Sequence, residues 1–300
     1  MKDIFYYTLL DNQIDQLVDP LELMHTIKQV LIQDTEAPLR SSIERHGSWY
    51  AAMVAGGLGY FSTKLVGVYP ENPKRGLPLV RAVLALFDAI TGDPLLLAEA
   101  GAATGWRTAA GTLVALEALS VSEINTLGLI GAGFQARYHA RAIMKLYHPK
   151  RILVYDMDRE KVSSFLEEFP MASESSLDRV LKDSDLLVTA TTSIEPVVKG
   201  DLLRKNTVVA SIGAPRPVRE LDEAVKRRAS CLLVDTLVGA LAETDDAKGF
   251  KKVVDLRMVL RNEDRCTPGD VKVYKSVGTA LFDHAIAIYL YEKLEKSMYF

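Results

Sequence analysis

The sequence predicts an α/β protein in which a doubly wound, parallel Rossmann-type sheet is inserted into a second, α+β domain with antiparallel strands. In the second half of the chain, short apolar runs of strand length alternate with segments of helical composition, which is typical of a parallel sheet covered by helices. The first half instead has strand-like runs separated by glycine and proline turns. Because a last helix follows the alternating part, the first domain is expected to be split in sequence.

The first half is predicted to begin with a helix over residues 20 to 34 and to continue as an antiparallel sheet between residues 40 and 97. Segments such as YPENPKRG and ITGDPL supply the turns between its strands. A helix rich in alanine and leucine is predicted over residues 105 to 119, with Thr104 able to cap its first turn. This helix is expected to bridge the two domains.

The second half is predicted to alternate strands and helices up to the last helix. In chain order we expect strand 126 to 130, helix 134 to 146, strand 151 to 155, helices 159 to 168 and 176 to 182, strands 186 to 190 and 207 to 212, helix 221 to 227, strand 231 to 235 and the last helix, 278 to 296. The predicted domains are therefore residues 1 to 118 with 278 to 300, and the inserted Rossmann-type domain, 119 to 277.

Composition excludes several classes of function. The 300 residues are 48% hydrophobic and 25% charged with a formal net charge of -3, which indicates a globular chain without the basic surface that nucleic acids require. No stretch reaches the eighteen or so apolar residues that span a bilayer, so we expect a cytoplasmic protein with no membrane partner. The five histidines and two cysteines lack metal-ligand spacing, so no metal is assigned. Cys231 and Cys266 are not expected to form a disulfide framework.

The segment NTLGLIGAGFQARYH, residues 125 to 139, predicts a strand, a glycine turn and a helix in immediate succession. Gly131 permits the turn, Gly133 lets the backbone approach a phosphate, and Ala136 keeps the helix near the strand. The next strand ends at Asp156, where a carboxylate would bind an adenosine ribose. The alternative is an ordinary turn with surface glycines and a solvated aspartate. The order of elements favours a dinucleotide site.

Two further segments place polar residues at the carboxyl edge of the predicted sheet, where ligands bind. ATTS follows one strand and SIGA follows another. Thr191 and Thr192 are therefore candidate cofactor contacts. Turn formation after a strand is an equally good interpretation for Thr192.

Three cations in the first half are candidates for substrate chemistry. Lys64 shares a strand face with apolar neighbours, so desolvation would favour the neutral form of its side chain. Such a lysine could donate a proton or clamp a substrate. The alternative is a lysine on an edge strand that reaches solvent. Arg107 lies in the first turn of its predicted helix, which favours an anion such as a carboxylate. Arg40 could supply a second guanidinium, although an arginine without such neighbours is usually a surface residue.

Several segments together resemble the ornithine cyclodeaminase/mu-crystallin family over nearly the whole chain. They are PLR at 38 to 40, TKLVGVYPENP at 63 to 73, TGDPLLL at 91 to 97, WRTAAGTLVAL at 106 to 116, GLIGAGFQARYHARAI at 128 to 143, REL at 219 to 221 and KSVGTALFDHA at 275 to 285. The family includes ornithine and lysine cyclodeaminases, an archaeal alanine dehydrogenase and reductases of cyclic ketimines. All of them act on a carbon that bears an amino or imino group beside a carboxylate.

The resemblance implies roles for the candidate residues. Arg40 and Arg107 match the arginines that hold the substrate carboxylate, and Lys64 matches the active-site lysine. The cofactor is expected to be NAD or NADP, with NAD favoured because the Asp156 carboxylate would repel a 2'-phosphate. Its expected contacts are Thr108, Gly131, Ala132, Gly133, Phe134, Gln135, Asp156, Thr191 and Thr192. The family also implies a homodimer, with the split domain serving substrate binding and dimerisation.

One position departs from the family pattern. Cyclodeaminases and the alanine dehydrogenase carry an aspartate after the glycine and alanine at a strand end, where this chain has Pro215 in IGAPRP. The mu-crystallin branch likewise has a non-acidic residue at this place, before an Arg-Pro, and the chain resembles that branch here. General-base help of the kind a cyclodeaminase needs is worth roughly two to four orders of magnitude, and proline cannot supply it. The prediction is therefore an NAD(P)H-dependent reductase of a small cyclic ketimine or α-imino acid, such as pyrroline-2-carboxylate, giving an L-amino acid.

Two alternatives stay open at this level. The chain could be an ornithine cyclodeaminase or an alanine dehydrogenase in which Glu220, Asp222 or Asp283 takes the role of the missing aspartate. It could also be a non-catalytic, crystallin-like protein that holds a dinucleotide and a carboxylate ligand. Lys64 and the two arginines argue against mere binding, because a holder needs no such set of residues.

Overall fold

The computed structural model describes residues 6–267 and 269–297, and the chain separates into two compact units. Unit 1 contains the residues up to Arg107 and those from Thr279 onward, and unit 2 is Thr108–Gly278. The predicted domains change at 118/119 and 277/278, and the functions predicted for them stay predictions. No helix in the described part of the chain has the length and apolar character needed to span a membrane.

Fifteen strands and ten α-helices are found within the described residues. The elements up to residue 118 are β1 (Tyr7–Leu9), α1 (Asp11–Leu17), α2 (Pro20–Ile32), β2 (Thr35–Glu36), β3 (Ser41–Arg45), β4 (Ser48–Gly57), β5 (Tyr60–Val68), β6 (Val80–Asp88), β7 (Pro94–Glu99) and α3 (Gly101–Ala118). The later elements are β8 (Thr126–Ile130), α4 (Phe134–Tyr147), β9 (Arg151–Tyr155), α5 (Arg159–Glu168), β10 (Ala172–Glu174), α6 (Leu177–Asp183), β11 (Leu186–Thr189), β12 (Val208–Ser211), α7 (Glu223–Arg228), β13 (Leu232–Val234), α8 (Leu237–Glu243), β14 (Val253–Asp255), α9 (Leu256–Leu260), β15 (Lys272–Lys275) and α10 (Ala280–Ser297).

Unit 1 is built on one mixed sheet with strand order β1-β7-β6-β5-β4-β2, and β3 pairs with β4. Its pairs are antiparallel except for β1 with β7. Helix α10 packs on β4, β5 and β6 and against α2. Lys64 of β5 pairs with Met53 of β4 and with Leu84 of β6, so these three side chains lie on the same face of the sheet. All three are buried.

Unit 2 contains an entirely parallel sheet of eight strands in the order β10-β9-β8-β11-β12-β15-β13-β14. Its strands β8, β11 and β12 are buried throughout and almost entirely apolar, as expected for a sheet covered on both faces. The strand order reverses between β8 and β11, and a crevice at such a reversal is where doubly wound sheets bind ligands. The predicted fold class is therefore confirmed.

The helix predicted over residues 105 to 119 begins earlier, at Gly101. The Asp11 carboxylate, distant in sequence, accepts a hydrogen bond of 2.7 Å from the Ala102 N–H, so the first turn has a partner that local sequence could not reveal. Thr104 therefore lies inside α3 and does not cap it, and the placement of Arg107 in the first turn was wrong.

The expectation that the two cysteines stay unpaired was also wrong. Cys231 and Cys266 form a disulfide with a Cα–Cα distance of 5.7 Å across a sequence separation of 35. Cys231 directly precedes β13, and the loop after α9 returns to the same strand end. Elements in this region, α8, β14, α9 and β15, were not predicted, so the approach of the two residues could not be foreseen.

Candidate active site

A cluster of three buried charged side chains lies in unit 1, and we call Lys64, Arg107 and Asp283 the Lys64 cluster. The Lys64 ammonium donates a hydrogen bond of 2.8 Å to Asp283 Oδ1, and Arg107 Nε lies 3.1 Å from the same oxygen. The three residues are 3%, 5% and 2% exposed, respectively. Charges this deeply buried require partners, and here two cations share one carboxylate oxygen.

Local sequence explains how the cluster forms. Strand alternation places Lys64 with Ser62 on the face of β5 that α10 covers. Asp283 and His284 interrupt the apolar sequence of α10, and both are buried. His284 fixes the helix against the sheet, since its ring nitrogens lie 2.9 Å from Ser62 Oγ and 3.1 Å from the Gly57 carbonyl oxygen. An aspartate and a histidine inside the apolar first half of this helix were the sequence signal for these contacts.

Burial is the largest influence on the Lys64 ammonium. It lowers the pKa of Lys64 to about 8, although the Asp283 carboxylate opposes this shift. Arg107 and Arg40 lower the pKa of Lys64 further by like-charge repulsion. At neutral pH the group is thus protonated yet able to release its proton readily, which suits a general acid.

Several polar atoms of the cluster have no hydrogen-bond partner among the described residues. They are Arg107 Nε, Arg107 Nη1 and Asp283 Oδ2, all buried. Buried polar atoms in native proteins are nearly always paired with protein, water or a ligand. Donors on Arg107 and an acceptor on Asp283 therefore keep unused hydrogen-bonding capacity.

Arg40, the third predicted cation, is half-buried just before β3 and lies with its guanidinium carbon 6.0 Å from the centre of the Trp49 ring. It is close enough to influence the pKa of Lys64. The structure thus places both predicted arginines of unit 1 within electrostatic range of Lys64.

The glycine turn in unit 2 has the geometry expected of a phosphate cradle. Gly131 has a φ of 96°, and a Cβ there would lie 2.6 Å from the Ala190 carbonyl oxygen, so only glycine fits between β8 and β11. A Cβ on Gly133 would instead meet no atom within 4 Å. Gly133 is the N-cap of α4 and provides no side-chain cap, which leaves the first amides of this helix for an anion.

Asp156 lies at the end of β9 beside the glycine turn. Its carboxylate accepts hydrogen bonds of 2.8 Å from the Ala132 N–H and 2.9 Å from the Asp158 N–H, which fix its position. Gln135 Oε1 is buried without a hydrogen-bond partner among the described residues, and Phe134 is half exposed. A carboxylate, open space and free helix amides at a strand-order reversal fit a dinucleotide.

Comparison with known proteins decides the family. A profile of the ornithine cyclodeaminase/mu-crystallin family matches residues 14–298. The chain belongs to this family. It is 30% identical over 293 residues to a Delta(1)-pyrroline-2-carboxylate reductase of Bacillus thuringiensis subsp. konkukian (strain 97-27), with 90% of each chain covered.

Solved structures of the family have the same fold. The Delta(1)-pyrroline-2-carboxylate reductase of Thermococcus litoralis, in complex with NADH and L-proline, superposes with a TM-score of 0.87 at 29% identity, covering 97% of this chain and 98% of that chain. An archaeal alanine dehydrogenase dimer with bound NAD superposes with a TM-score of 0.86 at 25% identity, covering 97% of each chain.

Relative to the family pattern, the loop after β12 contains Pro215 where an aspartate was expected, and nearby acids do not replace it. Glu220 is fully buried, and its carboxylate accepts five hydrogen bonds, from Thr189 Oγ1, Thr191 N, Thr191 Oγ1, Ser211 Oγ and Gly213 N. Asp222 caps α7 and accepts from the Gly200 N–H. Both carboxylates are committed to the fold.

Glu220 belongs to a second buried cluster, which we call the Glu220 network: Glu220, Asp246 and Lys275. The Lys275 ammonium donates to Ser211 Oγ at 2.9 Å and Asp246 Oδ2 at 3.0 Å, and also to the Gly213 carbonyl. Asp246 accepts from the Glu220 N–H. The network binds together the loops that follow β11 and β12.

The same network constrains Thr191, one of the residues predicted to contact the cofactor. Thr191 donates its hydroxyl hydrogen to Glu220, so its side chain can offer a cofactor only an acceptor. Thr192 is exposed in the same loop.

Thr108, another predicted cofactor contact, is buried in α3, and its carbonyl accepts a hydrogen bond from Thr112 Oγ1. His139 was not among the predicted residues. Its Nε2 lies 2.9 Å from the Thr112 hydroxyl, and this contact connects α4 to α3. Burial lowers the pKa of His139 to about 4.

Proposed function

We propose that this protein is an NADH-dependent reductase of a small cyclic α-imino acid, such as pyrroline-2-carboxylate, and that the product is the corresponding L-amino acid. The observation that carries the proposal is the Lys64 cluster: an ammonium with a pKa of about 8 beside a guanidinium and a carboxylate that keep unpartnered atoms. Relatives of the same family that are named for this reaction, one of them with NADH and L-proline bound, support it.

The residues of the Lys64 cluster can be assigned complementary tasks in this reaction. The Arg107 guanidinium would hold the substrate carboxylate, with Arg40 adding positive charge nearby. The Lys64 ammonium would supply a proton to the imine nitrogen and recover it from solvent. When bound, the nicotinamide would supply the hydride that the imine carbon receives.

The glycine turn would hold the pyrophosphate of the dinucleotide at Gly133 and the first amides of α4. Asp156 would bind the adenosine ribose and would disfavour a 2'-phosphate by charge repulsion, which makes NADH the preferred form. We expect Asp156→Ser to shift the ratio of Kd values for NADPH and NADH by roughly tenfold toward NADPH, since one nearby repulsion is removed. Fluorescence titration of both cofactors measures the ratio, and an unchanged ratio contradicts the assignment.

The function is tested by mixing the purified protein with NADH or NADPH and either pyrroline-2-carboxylate or piperideine-2-carboxylate. We expect loss of the reduced-nicotinamide absorbance with stoichiometric appearance of the cyclic amino acid. No turnover with either cofactor would reject the reductase. Ammonia release from ornithine in the presence of NAD⁺, without imine reduction, would favour the cyclodeaminase alternative instead.

The protein is also proposed to be a homodimer formed through the sheet of unit 1. The sheet face opposite Lys64 exposes large apolar side chains on neighbouring strands: Val54, Phe61, Leu65 and Leu97. We expect light scattering to give twice the chain mass and Leu65→Glu to give a monomer. Ile90→Glu, at an exposed loop position, is the control that should leave the mass unchanged. A monomeric wild-type protein would contradict the assembly.

A further inference from the structure

The Asp283 carboxylate uses one oxygen inside the protein and leaves the other without a partner. Oδ1 accepts from the Lys64 ammonium at 2.8 Å and faces Arg107 Nε at 3.1 Å. Oδ2 is buried and has no hydrogen-bond partner in the described part of the chain. A carboxylate needed only to neutralise Lys64 would be expected to satisfy both oxygens, because an unpaired buried acceptor costs free energy.

Arg107 has hydrogen-bond donors without partners, which complement the unpartnered acceptor of Asp283. Its guanidinium is 5% exposed, yet Nη1 has no hydrogen-bond partner among the residues described, although Nε lies beside Asp283. The two unpartnered groups therefore belong to side chains that are in contact with each other. One offers N–H donors to an anion, and the other offers an oxygen acceptor to an N–H group.

We propose, on the basis of the reductase function above, that Asp283 Oδ2 binds the nitrogen of the substrate and that Asp283 is the residue that distinguishes an N–H group from an oxygen beside the carboxylate-bearing carbon. Arg107 takes the carboxylate, and Asp283 accepts a hydrogen bond from the protonated C=N or from the amine that forms. In the reaction, the Lys64 ammonium transfers one proton to the imine nitrogen, the reduced nicotinamide transfers a hydride to the carbon, and NAD⁺ is left. Asp283 neither gains nor loses a proton.

The proposal distinguishes nitrogen from oxygen at one ring position. L-Proline and tetrahydro-2-furoate differ in having an N–H group or an ether oxygen beside the carboxylate-bearing carbon. We expect L-proline to bind the NADH-saturated protein on the order of 10- to 100-fold more tightly, because a hydrogen bond to a charged group is lost in the oxygen analogue. Calorimetric titration measures both Kd values without turnover. Equal affinities in the wild-type protein would overturn the inference.

The variant Asp283→Asn identifies the residue responsible. It should bring the two Kd values within a few-fold of each other, because the amide is a weaker acceptor for a cationic nitrogen. Glu22→Gln, which alters an exposed carboxylate paired with Lys293 in the same unit, is the matched control and should keep the wild-type ratio. A wild-type ratio retained in Asp283→Asn would overturn the proposal.

A second variant keeps the test decisive if Asp283→Asn does not fold. Lys64→Met combined with Asp283→Asn removes both members of the ion pair between these residues and leaves one buried cation, Arg107, where Asp283→Asn alone leaves two. The double variant should also lose the preference for L-proline, and keeping it would overturn the proposal. Imine reduction by the wild-type protein is assayed in parallel. Turnover together with equal binding of the two ligands would contradict the role of Asp283 alone, whereas absent turnover would contradict the reductase function.

Discussion

The two units each contain a buried cluster of charged side chains, and the clusters differ in how fully their hydrogen-bonding capacity is used. In the Glu220 network, the polar contacts described above are all made with other protein groups, and one carboxylate accepts five hydrogen bonds. In the Lys64 cluster, two cations share one oxygen of Asp283, while the other oxygen and an arginine nitrogen lack partners among the described residues.

Burial alone therefore does not identify a functional charge in this protein. A fully satisfied network rigidifies the loops that it joins, whereas an incompletely satisfied one retains capacity for a ligand. The sequence ranked Glu220 and Asp283 together as candidates for the missing aspartate. Their hydrogen bonds distinguish the two residues. Both carboxylate oxygens of Glu220 accept hydrogen bonds from protein groups, whereas Asp283 Oδ2 has no partner among the described residues.

The largest effect is expected on catalysis, from Lys64→Met, which keeps the volume of the side chain but removes its ammonium. Turnover of the imino acid should fall by roughly 10²- to 10⁴-fold, the range for loss of a general acid. NADH affinity should stay at the wild-type value, since Lys64 belongs to unit 1 and the glycine turn to unit 2. Steady-state kinetics and a fluorescence titration provide the two readouts, and wild-type turnover would contradict the assignment.

Glu220→Gln should act mainly on stability. An amide group cannot accept all five hydrogen bonds, and the Lys275 ammonium would lose negative charge nearby, at 3.7 Å. The free energy of unfolding should fall by about 3 to 5 kcal/mol, the cost of breaking a buried ion pair. Denaturant titration measures this change. An unaltered unfolding midpoint combined with lost turnover would instead place Glu220 among the catalytic groups.

The two glycines of the turn should separate cofactor binding from folding. Gly133→Ala adds a methyl group where the protein has open space, so the fold should persist while NADH affinity falls by roughly 10- to 100-fold through overpacking against the phosphate. Gly131→Ala, with a φ of 96° and a clash with Ala190, is expected to lower stability as well. Retained NADH affinity in Gly133→Ala would contradict the phosphate site.

The smallest effect is expected from a change of pH near neutrality. Because the pKa of Lys64 is lowered to about 8, kcat/KM should be level below that pH and then fall by roughly tenfold per pH unit above it, as the ammonium loses its proton. Lys64→Arg, which does not titrate in this range, should lack the alkaline decline even if its rate is lower. A decline that persists in Lys64→Arg would assign the titration to another group.

Sequence reasoning succeeded where the signal was local. Strands β8, β9 and helix α5 have the expected bounds, because apolar runs and glycine or aspartate residues mark their ends. It also predicted that Lys64 and Arg107 belong to one site; both lie beside the same oxygen of Asp283, and their roles stay a prediction. The family resemblance supplied much of this information, since neither residue differs locally from a structural lysine or arginine.

The remainder depended on contacts between distant segments. The start of α3 is fixed by Asp11, and the disulfide depends on the path of the chain through α8, β14 and α9. The polar contacts of Glu220 come from residues at the ends of three strands, β11, β12 and β15, and the sequence does not show that these ends lie together. No periodicity in the sequence encodes which buried acid has an unpartnered oxygen.

The pairing of Lys64 with Asp283 spans 219 positions along the chain. During synthesis, the strand that carries the lysine emerges long before α10, and the whole of unit 2 is made in the interval. A ribosome-bound chain that ends before α10 would therefore hold an uncompensated ammonium on an uncovered apolar sheet. The Lys64 cluster can therefore form only after α10 has been synthesised, whereas unit 2, which is contiguous in sequence, can fold earlier.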